Sequence, residues 1–187
     1  MVGWRGYGAF RRILVGSVSR TVVEQARRAV LVVRRPVREV RRIVIGVDGS
    51  PNARRAVDLA ARLPHEQREI VVVRVVEPRT VPTAGRLPAA LRSIVLTALA
   101  AMNEQLMRTA RRDVDATVAR LERAGWKARA DVRSGAPLVG LLDAIERTDA
   151  DLLVVGARAT SGVQRALLGS VAAGALDRSP VPVLVVR

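Results

Sequence analysis

Two short segments of this 187-residue chain have the residue types and placement to form a ligand site, one of them suited to phosphate. Asp48-Gly49-Ser50 follows the β-branched run Ile43-Val44-Ile45-Gly46-Val47. Gly156-Ala157-Arg158-Ala159 follows a second run, Leu152 to Val155, and nine residues later comes Gly169-Ser170. A glycine-serine pair at a helix start offers free backbone N–H groups and the positive end of the helix dipole, which attract phosphate. The Ser170 hydroxyl can donate to a phosphate oxygen or cap the helix, and the residues alone leave both readings open. No Ser-His-Asp relay and no paired catalytic carboxylates stand out, so no catalytic residue is expected. The single lysine, Lys127, lies outside the glycine-rich segment, which argues against P-loop phosphoryl transfer. The only histidine, His65, follows Pro64 in a polar loop and reads as solvated. With no cysteine and no second ligand, no metal site is expected.

These segments need elements to carry them. Strands are predicted at 42–48, 70–76, 127–133, 151–156 and 181–187. Between them lie helical patterns at 51–63, at 89–124 with a break near Thr109–Asp115, from Pro137 through Glu146, and after Gly169-Ser170. Gly125 is placed to close the second of these, and residues 77–88, with Pro78, Pro82, Gly85 and Pro88, read as loop. Strands alternating with helices predict an α/β fold: a doubly wound parallel five-stranded sheet with helices on both faces. In such sheets ligands bind beyond the carboxyl ends of strands, where the strand order reverses. Both candidate segments fall there. Trp4 and Trp126 read as packing residues.

The chain also repeats itself. Residues Gly156–Arg187 are a second copy of Gly3–Arg34, gap-free at a constant offset of 153, with 12 of 32 positions identical. The expected organisation is a C-terminal domain fragment (residues 1–35: loop, helix, strand), a linker (36–41) and a complete domain (42–187). A lone strand-helix piece is not stable in water and needs a partner. The fragment has its own Gly3, Gly6, Gly16 and Ser17 but no first strand or aspartate, so it lacks half of a pocket.

The net charge is +15, and residues 1–42 hold 11 basic and 2 acidic groups. That balance allows a weak association with nucleic acid or another polyanion, although 31 of the 32 basic residues are arginine, which suggests a coding bias. Aromatic residues are too few, at 2%, to stack bases. No apolar stretch approaches the ~20 residues of a membrane span, so no membrane partner is expected, and a cytoplasmic location is the plain reading.

The segment Gly156-Ala-Arg-Ala159, nine residues, Gly169-Ser170 resembles the nucleotide-binding loop of the universal stress protein family, which reads Gly, two residues, Gly, nine residues, Gly and Ser or Thr. The likeness extends through IVIGVDGS, VVVRVVEP, DADLLVVG and the closing PVPVLVV. The resemblance implies a flavodoxin-like (Rossmann-like) sheet of order 3-2-1-4-5 and binding of ATP, with or without Mg2+. By position, Asp48 and Val75 would hold base and ribose, with Val155 and Gly156 at the end of strand four. Gly169, Ser170 and Val171 would hold phosphates, and Arg158 either pairs with the γ-phosphate or is solvated. One departure is Ala159, where the family has its second glycine. A Cβ there disfavours positive φ and narrows the space for a triphosphate. The resemblance implies a regulatory stress-response protein acting through nucleotide-dependent conformation or association, with hydrolysis slow if present. The alternatives are a nucleotide-free dimerisation module, which Ala159 favours, and a basic polyanion binder. It further implies a homo-oligomer, or a pseudo-dimer within one chain, through the last strands: Ala29–Arg34 against Pro182–Arg187.

Overall fold

The computed structural model describes residues 2–3, 17–33, 39–64, 66–157 and 168–187; His65, Trp4, Arg158 and Ala159 lie outside the described residues. In chain order the elements are β1 (Val2–Gly3), α1 (Ser17–Gln25), β2 (Val30–Val33), β3 (Arg42–Gly46), α2 (Pro51–Ala60), β4 (Glu69–Val76), α3 (Ala89–Arg123), β5 (Lys127–Ser134), α4 (Pro137–Thr148), β6 (Leu152–Gly156), α5 (Ser170–Arg178) and β7 (Val183–Val186).

They form one sheet of seven strands in the order β1-β2-β7-β6-β3-β4-β5. Strands β3 to β7 alone reproduce the expected 3-2-1-4-5 arrangement, all parallel. The sheet exceeds the expected five strands because β2 lies antiparallel on the free edge of β7, and β1 lies parallel to β2. An uncovered β7 would present unpaired N–H and C=O groups, and β2 satisfies them. The registers carry the sequence repeat. Val2 and Gly3 pair with Val32 and Val33, as Val155 and Gly156 pair with Val185 and Val186. Across the antiparallel seam Leu31 faces Leu184, its own repeat equivalent, so a local pseudo-twofold passes between them.

Consecutive strand residues point to opposite faces, which divides the core. Ile43, Ile45, Ile70, Val72, Leu152 and Val154 are buried against α2, α3 and Trp126. Val44, Val71, Val73, Leu153, Val155, Val183 and Val185 are buried against α4 and α5. Val23, Val30 and Val32 of the N-terminal piece belong to this second core. Arg187 donates to the carbonyl oxygens of Val23 and Glu24, at 2.9 and 2.5 Å, so a cation closes the last turn of α1. Arg20 on α1 pairs with Asp177 on α5 at 2.7 Å.

Helix α3 corrects the expected break near Thr109–Asp115: it is continuous over 35 residues, about 52 Å. That stretch holds no glycine or proline, and Ala110, Val114 and Leu121 keep one face on the sheet through it. Arg74 of β4 fixes the helix through Asp113 at 2.5 Å, and Arg120 pairs with Asp58 of α2. Gly125, at φ +90°, ends it in the left-handed region, and Trp126 packs beneath.

At the far edge, β5 is guarded by charge. Asp131 accepts from Arg133 and Arg147 at 2.8 and 2.7 Å. Burial pushes its carboxyl up, but the two guanidinium hydrogen bonds outweigh this and hold it below the ordinary carboxylate range. A depressed folded-state pKa gives stability that is complete above the unfolded pKa, about 3.9, and is lost as pH falls through the folded one. Asp131→Asn is expected to flatten the acid limb of melting temperature against pH below about pH 4, measured by calorimetry.

Candidate functional site

The crevice at the carboxyl ends of β3, β4 and β6 is built by local rules. After β3 the chain turns at Gly49, whose φ of +83° a Cβ would strain. Asp48 Oδ1 accepts the Ser50 backbone N–H at 2.9 Å, an aspartate turn that fixes the carboxylate at the strand end. Ser50, buried, then caps α2 by accepting the Ala53 N–H at 3.1 Å, and Pro51 occupies the first turn. Ser50→Ala is expected to cost about 1 kcal/mol, read as a shift in urea midpoint at unchanged slope.

The N-terminus of α5 lies across the same crevice. Its N-cap is Gly169 in extended backbone, and among the described residues no side chain caps it. Ser170 stands one position later, exposed, so the capping role that its sequence allowed is not the one it fills. The first-turn N–H groups of Ser170, Val171 and Ala172 therefore lack intrahelical acceptors. The Gly169 N–H is spent on Ala157 O at 2.7 Å, which fixes the approach of the helix to β6.

Between these two helix starts is a cavity of about 180 Å³ that opens to solvent. Asp48, Val75, Val155, Gly156, Gly169, Ser170 and Val171 all line it. Seven candidate residues from four separate segments thus share one space, at the point between β3 and β6 where the strand order reverses. Sequence reading missed Gly46, Val47, Ala53, Val73, Pro137, Leu141 and Ala172, which complete the wall. Pro137 carried a usable signal: it opens the helix after β5, at the same end of the sheet. The wall is mainly aliphatic, with polar groups at Asp48 and at the α5 terminus. That distribution suits a ligand with a flat apolar part and an anionic end.

Gly156 is set by packing. A Cβ built there would lie 2.9 Å from Ala53 N and Asn52 C, the first turn of α2. Only a glycine at the end of β6 lets α2 start this close to the sheet.

A second concavity, between α2 and α3, is lined by Arg54, Arg74, Arg120 and Asp113. Its arginines are engaged: Arg74 with Asp113, Arg120 with Asp58, and Arg54 with the Gly49 carbonyl at 3.2 Å. It reads as the lacing of α3 to the body. Among the described residues no group of three His, Cys, Asp or Glu side chains is placed to hold a metal, and no helix is long and apolar enough to cross a membrane.

Known proteins share this architecture. The sequence profile of the universal stress protein family matches residues 1–34 and again 39–187. Universal stress protein Rv1636 of Mycobacterium tuberculosis is 31% identical over 145 residues, which span 78% of this chain and 94% of that protein. A universal stress protein of Archaeoglobus fulgidus has the same fold over 99% of this chain and 59% of its own, at TM-score 0.65 and 24% identity. A universal stress protein solved in complex with cAMP aligns over 79% of this chain and 97% of its own, at TM-score 0.51 and 26% identity. The family profile covers nearly all of the sequence, and the chain belongs to the universal stress protein family.

Proposed function

We propose that the crevice binds an adenine nucleotide, ATP with or without Mg2+, and that the protein acts as a regulatory stress-response domain whose conformation or association follows nucleotide state. One observation carries this reading: Asp48 and Val75 line the same cavity as an α5 terminus whose first N–H groups have no side-chain cap among the described residues. Asp48 and Val75 would hold the adenosine, with Val155 and Gly156 beneath it. Gly169, Ser170 and Val171 would receive phosphate through backbone N–H groups and the Ser170 hydroxyl. The relative solved with cAMP supports an adenine compound as the ligand class. The cytoplasm, where ATP is supplied, is the compartment that fits.

ATP is expected to raise the melting temperature. At about 100 times its Kd the stabilisation is roughly 2.7 kcal/mol. Asp48→Asn, which keeps an oxygen to accept the Ser50 N–H, is expected to remove most of the gain while leaving the ligand-free melting point near that of the parent. A flat response to millimolar ATP, ADP and cAMP overturns the reading, and native mass spectrometry reports bound nucleotide and subunit number together.

A second reading is favoured by the seam between β2 and β7. Residues 1–35 are proposed to be the tail of a second domain, folded onto the complete domain at 42–187 as a pseudo-dimer. In that reading the seam, not the cavity, is the functional element.

A further inference from the structure

The N-terminal half of α3 contradicts its own composition. From Ala89 to Met102 the helix places aliphatic side chains on every side: Leu91, Ile94, Val95, Leu96, Leu99 and Met102, with alanines between. A helix apolar all round is a buried helix. Here Ile94 is 66% exposed, Leu91 53%, Leu96 51% and Met102 42%. Among the described residues, five of the seven large exposed hydrophobic side chains are these four and Val81, in the strap just before the helix. No residue between Ala89 and Thr109 is buried, so this half of the helix extends past the sheet that holds the other half.

The projection is held in place. The Asn103 side-chain amide makes a pair of hydrogen bonds with the Arg79 backbone, accepting its N–H at 2.8 Å and donating to its C=O at 3.0 Å. A single 3-10 turn, Ala84–Arg86, leads from this strap into Pro88 and the helix. The tip is therefore an ordered apolar surface. Leu91, Ile94, Ala98 and Met102, at spacings of three and four, form one stripe along it.

Charge selects what covers the stripe. Residues 78–103 contain Arg79, Arg86 and Arg92 and no acidic residue. Arg86 and Arg92 stand at the tip end, and Arg79 lies at the base beside Asn103, between Glu77 and Glu104, within a chain of net charge +15. A second copy would bring cation against cation. An anionic lipid surface complements both properties: aliphatic side chains enter the acyl boundary, and arginines meet the headgroup phosphates. We infer that the projecting half of α3, with its strap, docks on an anionic bilayer surface. Such a helix lies on the membrane without spanning it, so the shortness of the apolar runs in the sequence does not oppose it. None of its residues lines the nucleotide cavity, and the inference stands apart from that reading.

Vesicle flotation of the full chain tests it, with phosphatidylcholine alone against phosphatidylcholine mixed with phosphatidylglycerol. The protein is expected to float with the mixed vesicles, not with phosphatidylcholine alone, and to be released by salt. Leu91→Gln with Ile94→Gln removes apolar surface without changing charge, and Arg86→Gln with Arg92→Gln does the reverse. Each pair should weaken partitioning about tenfold or more. Arg62→Gln with Arg111→Gln removes the same charge elsewhere and should stay within about twofold. All of these side chains are exposed, and unchanged melting curves certify the fold. Absence of flotation, or equal flotation after Leu91→Gln with Ile94→Gln, overturns the inference. So does a dimer that binds no vesicles and that this same pair of substitutions converts to monomer, since the occupant is then a second copy.

Discussion

Gly156→Val is expected to lower the melting temperature by about 6–12 °C, from a destabilisation of about 3 kcal/mol at roughly 2–4 °C per kcal/mol in a chain of this size. The Cβ alone would sit 2.9 Å from backbone atoms of Asn52 and Ala53. Backbone cannot rotate away as a side-chain tip can, so α2 has to move off β6. That movement drags Ser50 and the Asp48 turn with it, because Ser50 caps α2 and its N–H holds Asp48. Nucleotide-dependent stabilisation should disappear along with the lost stability. Gly85→Ala serves as the control: its Cβ meets nothing within 4 Å, and its melting point should change by about 1 °C or less. A Gly156→Val protein that melts with its parent would mean that α2 does not approach β6 this closely.

The second large effect concerns the sheet edge. A chain shortened to begin near residue 36 loses β1, α1 and β2 and exposes β7. It is expected to dimerise by pairing β7 with the β7 of another copy, Leu184 facing Leu184. The register follows from the seam already present, since Leu31 and Leu184 are repeat equivalents and sit opposite each other. The shortened chain also uncovers the apolar surface now shielded by Val23, Val30 and Val32. At about 1.5–3 kcal/mol per fully buried valine, less the cost of ordering the piece, this is enough to drive association. Light scattering should give twice the monomer mass. Leu184→Arg in the shortened chain should return it to monomer, by placing two like charges opposite each other. A shortened chain that stays monomeric with an unchanged melting point removes any structural role for the first 35 residues.

The strands that deliver the site were legible because the central ones must be buried on both faces, and such strands read as uninterrupted Val and Ile. Arg42–Gly46, Glu69–Val76 and Leu152–Gly156 fall within a few residues of their predicted limits. The Asp48-Gly49-Ser50 turn was readable from local chemistry, since each residue acts on its immediate neighbours. Two other features were not. The continuity of α3 depends on which side chains meet the sheet, and the polar stretch around Thr109–Asp115 looked like an interruption only when that sheet was not in view. The need for glycine at 156 arises from a contact with residues 52 and 53, about a hundred positions earlier, and no local pattern encodes it. The role of Ser170 was half legible. Gly-Ser marked the helix start, but whether serine or glycine occupied the capping position was a matter of one residue, and helix limits are uncertain by that much from sequence.

The seam between β2 and β7 joins two pieces of a single covalent chain, with eight residues between Val33 and Arg42. Its closure is thus governed by tether length, not by how much protein the solution holds. Dilution that would separate two free subunits leaves it intact.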